Sequence, residues 1–126
     1  MAWVQIADRK MLFVRARGEN SFFIPGGKRE AGETDVQALT REIKEELSVD
    51  LKPETMVLLD KYEAQASGKP EGVMVQISYY TAAYEGVLSA ASEIEELVWL
   101  TSEGNGHIPA TAQRLLTVLK NQNLID

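Results

Sequence analysis

Gly27 to Val49 reads GKREAGETDVQALTREIKEELSV, and the fold of the chain turns on this stretch. It follows the extended segment Phe22-Phe23-Ile24-Pro25 as a glycine-rich loop and runs on as one amphipathic helix. Thr34 has N-cap chemistry, and Gln37 three residues on completes a capping box. Val36, Leu39, Ile43 and Leu47 recur at three- and four-residue steps, which makes one apolar stripe. With Ile43 set at zero, Glu46, Glu42 and Glu45 follow round one flank at about −60°, −100° and −160°. Lys44 and Arg41 take the other flank and the back. Like charges so spaced repel, and a cation between them reverses the sign. Hard divalent ions prefer oxygen ligands, so a few carboxylates plus substrate phosphates make a natural site for Mg²⁺. Glu33 lies just before the helix, and the Gly26-Gly27-Lys28 turn offers backbone N–H groups and an ammonium to phosphate.

These residues carry a family resemblance. Gly27, Glu33 and the run Arg41-Glu42-Ile43-Lys44-Glu45-Glu46-Leu47-Ser48-Val49 fit the Nudix box, GX5EX7REUXEEXGU with U aliphatic, at every defining position but one. Ser48 stands where the family usually has Gly, which bears on the cap of the helix, where glycine eases a left-handed backbone. The resemblance implies an α+β fold, a mixed β-sheet sandwiched between helices (α/β/α), and a metal-dependent hydrolase of nucleoside diphosphates linked to another group. Pattern alone supports only α+β. The resemblance also suggests roles. Glu42 and Glu46 become primary ligands of Mg²⁺ or Mn²⁺, with Glu45 as a third ligand or water-orienting base. The backbone carbonyl of Gly26 or Gly27 is a further ligand, and Arg41 and Glu33 are an ion pair that holds loop and helix in register.

Composition agrees with such a protein. The 126 residues are 44% hydrophobic and 25% charged, which fits one globular domain over residues 1–126. A net charge of −6 argues against broad nucleic-acid or anionic-membrane binding, and an acidic protein handling polyphosphate needs cations to mediate. The absence of cysteine excludes disulfides, thiolate metal sites and cysteine nucleophiles. Neither a signal pattern nor a membrane-length apolar run is present, so a cytoplasmic location is expected.

Outward from the box, residues 2–7 and 11–16 read as two strands about the turn Asp8-Arg9-Lys10. Arg15 and Arg17 are candidate phosphate contacts, since the guanidinium fork matches phosphate oxygens. Lys28 is another. Gly26-Gly27-Lys28 is not a P-loop, which would need Gly at Phe22 and Ser or Thr at Arg29. Phe22 or Phe23 and Tyr80 are candidates for a base pocket. Residues 55–66 read as extended, with Met56, Leu58, Leu59 and Tyr62 as core candidates, followed by a turn over 67–72. Val73, Val75, Ile77 and Tyr79 then alternate as a half-buried strand that pairs with the preceding one. Tyr84-Glu85-Gly86 reads as a turn, with Val87-Leu88 as a strand end. Glu93, directly before the strand at Ile94, is the first choice for a further ligand or catalytic base, with Glu95 and Glu96 as alternatives. His107, in the loop from Thr101 to Ile108, reads as a solvent-exposed side chain. Pro109 opens a final helix whose buried face holds Ala112, Leu115, Leu116, Val118 and Leu119.

The expected reaction is hydrolysis of a nucleoside triphosphate to the monophosphate and pyrophosphate, in the manner of MutT-like members of the family. ADP-ribose, NDP-sugars and dinucleoside polyphosphates are alternative substrates, and a nucleotide-sensing module without turnover is an alternative function. Ala64 stands where some ADP-ribose hydrolases of the family have proline, and Gln65 to Ser67 lack the tyrosine of dinucleoside-polyphosphate hydrolases. The expected partner is a small nucleotide. The oligomeric state is open, a homodimer included.

Overall fold

A computed structural model of the chain describes residues 1–65, 69–104 and 107–126. The expected turn at 67–72 and the loop at 101–108 each lie partly outside these. Strand β3 (Lys10–Ala16) is the spine of the fold. Met11, Leu12, Phe13 and Val14 are all fully buried, because alternate residues of this strand face two different cores. Met11 and Phe13 pack with Leu115, Leu116 and Leu119 of helix α2 (Ala110–Asn121). Leu12 and Val14 pack with Leu39, Ile43 and Leu47 of helix α1 (Asp35–Leu47). Two helices therefore enclose sheet from opposite sides, the α/β/α arrangement expected.

Around β3 lie β2 (Ile6–Ala7), β4 (Phe22–Phe23) and β9 (Ile94–Leu100), all antiparallel to it. A second sheet has the order β1 (Ala2–Trp3), β7 (Met74–Thr81), β6 (Val57–Gln65). In it β1 runs parallel to β7, so the fold is mixed. A short ribbon joins β5 (Asp50–Leu51) to β8 (Tyr84–Glu85), and Pro53–Thr55 form a 3₁₀ turn between β5 and β6.

Several expectations are corrected. The strand read over 2–7 is two strands in different sheets: Ala2 and Trp3 pair with Tyr79 and Tyr80, whereas Ile6 and Ala7 fold back on β3. Asp8 and Arg9 both have φ near +60°, the two-residue hairpin geometry that suits this fold-back. Tyr84 and Glu85 are strand rather than turn, because they pair with Leu51 and Asp50, and the Tyr84 ring stands edge-on to Trp3 at 5.4 Å. Val87 is 84% exposed and Val87-Leu88 is no strand. Leu58 is exposed at a register shift between Leu58 and Asp60, and is not core. The strand pairing of β6 with β7 is as expected, but Val73, Met74 and Val75 are exposed, since β1 meets only the Tyr79–Tyr80 end of β7. Among the described residues no helix is long and apolar enough to cross a membrane.

Candidate active site

Helix α1 is fixed at both ends by its own sequence. The Thr34 hydroxyl accepts from Gln37 N at 3.2 Å, and the Gln37 side chain accepts from Thr34 N at 3.0 Å, so the capping box is complete. At the other end Ser48 adopts the left-handed conformation (φ 63°, ψ 21°) with its N–H on the Lys44 carbonyl at 3.1 Å. This is the backbone that glycine would adopt without steric cost.

The glycine loop is pinned to both the helix and β1. Gly27 N donates to the Met1 carbonyl at 3.0 Å, the Met1 nitrogen donates to the Gly27 carbonyl at 2.8 Å, and Trp3 N donates to the Pro25 carbonyl at 2.8 Å. Glu33 and Arg41 form a two-toothed ion pair, Nε to Oε2 at 2.8 Å and Nη2 to Oε1 at 2.9 Å. Arg41 holds the Glu33 carboxyl far below its usual range, to about 2. The stabilisation this pair gives is present above the ordinary carboxylate range and is lost as pH falls toward that value. Arg41 also donates to the Lys28 carbonyl at 3.3 Å, which ties the loop to the helix.

The carboxylates gather where loop meets helix. Glycine at position 27 lets Glu42 approach this closely: a Cβ would lie 2.5 Å from Cδ of Glu42 and 2.8 Å from both its oxygens, and would push that carboxylate away. Glu42 therefore rests flat on the Gly27 backbone, with Arg41 Nη1 on its Oε1 at 2.9 Å. Glu46 is 2% exposed, and its carboxylate accepts from Gly26 N at 3.0 Å. Burial pushes its carboxyl up to about 8; the Gly26 N–H opposes the shift, and Glu42, Glu93 and Glu45 add to it. Glu45 is exposed.

Glu93 reaches this cluster from the other direction. Ala91 N and Ser89 N donate to the carbonyls of Glu46 and Leu47, both at 3.0 Å, which straps the loop before β9 across the end of α1. Ser92, with φ at +56°, turns the chain so that Glu93 adds its charge to the surroundings of Glu46. A hydrogen bond from Ser92 lowers the Glu93 carboxyl below its usual range.

Among the described residues no three acidic or histidine side chains converge on one point as ligands. Arg41 draws Glu42 aside, and Glu46 turns to Gly26. The donor set nonetheless fits a hard dication: carboxylate oxygens and the Gly27 carbonyl, backed by a glycine whose missing side chain leaves room for the carboxylate.

Other candidates are placed elsewhere. Arg15 forks onto Glu96 at 2.8 Å and Glu95 at 3.2 Å, opposite it on β9, and bonds the Glu19 carbonyl at 2.9 Å. It is committed to protein oxygens, and so are the two glutamates weighed against Glu93. The Arg17 side chain is exposed and has no partner among the described residues. Phe22 is buried in the α2-side core, so its ring does not face a ligand. Its neighbour Phe23 lines an apolar cavity of about 140 Å³ with Ala2, Ile24, Ile77, Tyr79 and Pro109. The Tyr80 hydroxyl donates to Asp35 at 2.7 Å, which pushes its pKa up to about 12. Lys28 is exposed, and its ammonium has no partner among the described residues; His107 is exposed, with its carbonyl accepting from Phe22 N at 2.7 Å. The loop-to-helix cradle of Gly26 could not be read from spacing, because it depends on a bridge between Gly26 and Ala2.

Residues 2–120 match the family model described as the NUDIX domain. The chain belongs to the Nudix hydrolase family. Over 92 residues, 71% of this chain and 53% of the relative, it is 33% identical to an ADP-ribose pyrophosphatase of Methanocaldococcus jannaschii. Over 56 residues, 43% of this chain and 17% of the relative, it is 39% identical to the human 8-oxo-dGDP phosphatase NUDT18. The chain thus spans about half the length, or less, of these two Nudix relatives. The fold matches that of a MutT NUDIX hydrolase from Burkholderia pseudomallei, with a TM-score of 0.73 at 22% identity and 91% of each chain covered. It also matches the E. coli ORF135 protein, with a TM-score of 0.71 at 24% identity over 94% of this chain and 87% of that one.

Proposed function

We propose that this Nudix chain, acting as one domain, is a divalent-cation-dependent pyrophosphohydrolase that converts a nucleoside triphosphate and water into a nucleoside monophosphate and pyrophosphate. The observation that carries the reading is Glu46, a carboxylate buried beside Glu42, Glu45 and Glu93 and against the Gly26–Gly27 backbone. Such a group is costly to ionise unless a cation shares its charge. Glu42, Glu46 and the Gly27 carbonyl are the ligands assigned, and Mg²⁺ or Mn²⁺ held there supplies charge neutralisation to the phosphoryl oxygens.

The chain's own groups do the rest. Glu45 is exposed and lies on the same flank of α1, where it can orient the attacking water and accept its proton. Glu93, kept ionised by Ser92, is better suited to a ligand than to a base. The water oxygen bonds to phosphorus, the bond to the bridging oxygen breaks, and its electron pair departs with the leaving pyrophosphate. Lys28, directly after the loop, contacts phosphate, and exposed Arg17 is a second candidate. The apolar cavity beside Phe23 suits a base, being reached from the loop through Ile24 and Pro25.

The ADP-ribose pyrophosphatase and 8-oxo-dGDP phosphatase among its relatives are named for substrates that share the phosphoanhydride, so both substrates belong in the test. Purified protein would be given nucleoside triphosphates, diphosphates, 8-oxo-dGDP and ADP-ribose with and without Mg²⁺, and the products identified. Cation-dependent monophosphate and pyrophosphate from a triphosphate are expected. Tight nucleotide binding with no turnover of any of these would replace the enzyme with a sensor.

A further inference from the structure

The backbone lays Gly27, Met1, Ser78 and Lys61 in a row across the sheet. Gly27 is hydrogen-bonded to Met1 in both directions. Ala2 and Trp3 pair in parallel with Tyr79 and Tyr80, which sets Met1 beside Ser78, and Lys61 is the registered partner of Ser78. Neighbouring strands lie about 4.8 Å apart, so the row runs roughly 14 Å from Gly27 to Lys61. The carboxylate of Glu42 rests on one end of it.

A cleft of about 350 Å³ lies over this row, with Met1 in its floor and Lys28, Arg29, Asp35, Lys61, Gln76 and Ser78 around it. Its chemistry differs from that of the protein as a whole. In a chain of net charge −6, the cleft has three cationic side chains, two neutral donors and one carboxylate. That carboxylate is already engaged: Asp35 takes the Tyr80 hydroxyl at 2.7 Å and the Arg29 guanidinium at 3.3 Å. The ammonium groups of Lys28 and Lys61 have no hydrogen-bond or ion-pair partner among the described residues. On the opposite face of the same strand, Ile77 and Tyr79 line the apolar cavity. Strand β7 thus carries a basic cleft on one side and an apolar one on the other, and both lie next to the glycine loop.

The geometry points to this cleft as the seat of the terminal phosphate of a nucleoside triphosphate, with Lys61 as the residue that selects an anionic far group over a neutral one. The inference rests on the pyrophosphohydrolase reading above and adds to it the end of the substrate that is recognised. A phosphoanhydride held at Glu42 and Gly27 continues along the row, and each further phosphate moves toward Ser78 and Lys61. A neutral sugar in the same place would leave the Lys61 ammonium facing no counter-charge. A diphosphate held at Glu42 and Gly27 meets Lys28, next to Gly27, and stops short of Lys61.

The test compares a triphosphate with the diphosphate of the same base. In Lys61→Ala, KM for the triphosphate should rise about 10-fold with kcat little changed, the loss of one charge-assisted contact. The ratio of kcat/KM for triphosphate over diphosphate should fall by the same factor. Lys61→Glu should lower it further, Lys61→Arg should restore most of it, and Lys120→Ala, at the far end of α2, should move neither. Lys61 is exposed on an edge strand, so these variants keep the fold. An unchanged ratio in Lys61→Glu, with the wild type active, overturns the assignment and leaves the hydrolase reading standing. If the wild type cleaves no nucleotide, that reading fails first, and calorimetric titration with tripolyphosphate decides the cleft. Binding weakened about 10-fold or more by Lys61→Glu supports it, and equal binding overturns it.

Discussion

Helices α1 and α2 do the same structural job in opposite halves of the molecule, and they differ in one buried residue. Each lays an apolar stripe on one face of the central strand β3. Helix α2 buries Ala112, Leu115, Leu116 and Leu119, all of them apolar. Helix α1 buries Ala38, Leu39, Ile43 and Leu47 in the same manner, and adds Glu46. A stripe of this kind needs no carboxylate, as α2 shows. Burying one among three other carboxylates opposes folding in the absence of a counter-charge. The ends differ too. Helix α1 has a complete capping box, whereas α2 starts at Pro109 with no side-chain cap. The helix that carries the acidic cluster is thus the one whose position is fixed most tightly, and this separates the residues that hold the fold from those kept for chemistry.

Two substitutions can break that comparison. Leu116→Ala removes fully buried side-chain volume from the α2 core and should cost about 2–5 kcal/mol of stability in urea unfolding. Turnover per folded molecule should hold. Glu46→Gln should do the reverse. Its amide oxygen can keep the Gly26 N–H bond while losing the charge, so the cation-free protein should melt at the same temperature or higher. Turnover should drop at least about 100-fold, which corresponds to roughly 2.7 kcal/mol of activation free energy. If Glu46→Gln unfolds the protein while retaining its specific activity, Glu46 is a structural residue like Leu116, and the contrast between the helices is gone.

What could be read from the sequence follows the same division. The stretch from Gly27 to Val49 was legible because its structure is local: Thr34 caps Gln37, Glu33 reaches Arg41, and the stripe repeats within one helix. The final helix was legible for the same reason. Long-range pairing was not. Nothing near Ala2 in the sequence says that it joins Tyr79 while Ile6 joins Met11. Arg15 read as a free phosphate contact until β9 brought Glu96 opposite it. Phe22 and Phe23 could not be ranked for a base pocket without knowing which face α2 covers. Lys61 gave no signal at all, since an exposed lysine on an edge strand is ordinary, and only its register with Ser78 sets it over the glycine loop's row.

The smallest effect sharpens the account of how α1 ends. Ser48 occupies the left-handed region at φ 63°, where a side chain other than glycine costs about 1 kcal/mol. Its side chain makes no hydrogen bond that would offset this among the described residues, and the residue is exposed. Ser48→Gly relieves the strain but gives the unfolded chain more freedom, so part of the gain is cancelled. The net should be a stabilisation of about 0.5 kcal/mol, seen as a rise in Tm of roughly 1–3 °C. Turnover should hold, because the carboxylates two and three residues earlier are set by the helix itself and by the loop, both left intact. A drop in Tm would mean that the serine stabilises the turn in a way its backbone angles hide. A large loss of turnover would mean that the helix terminus, and not only the Gly26–Gly27 loop, determines where Glu46 points.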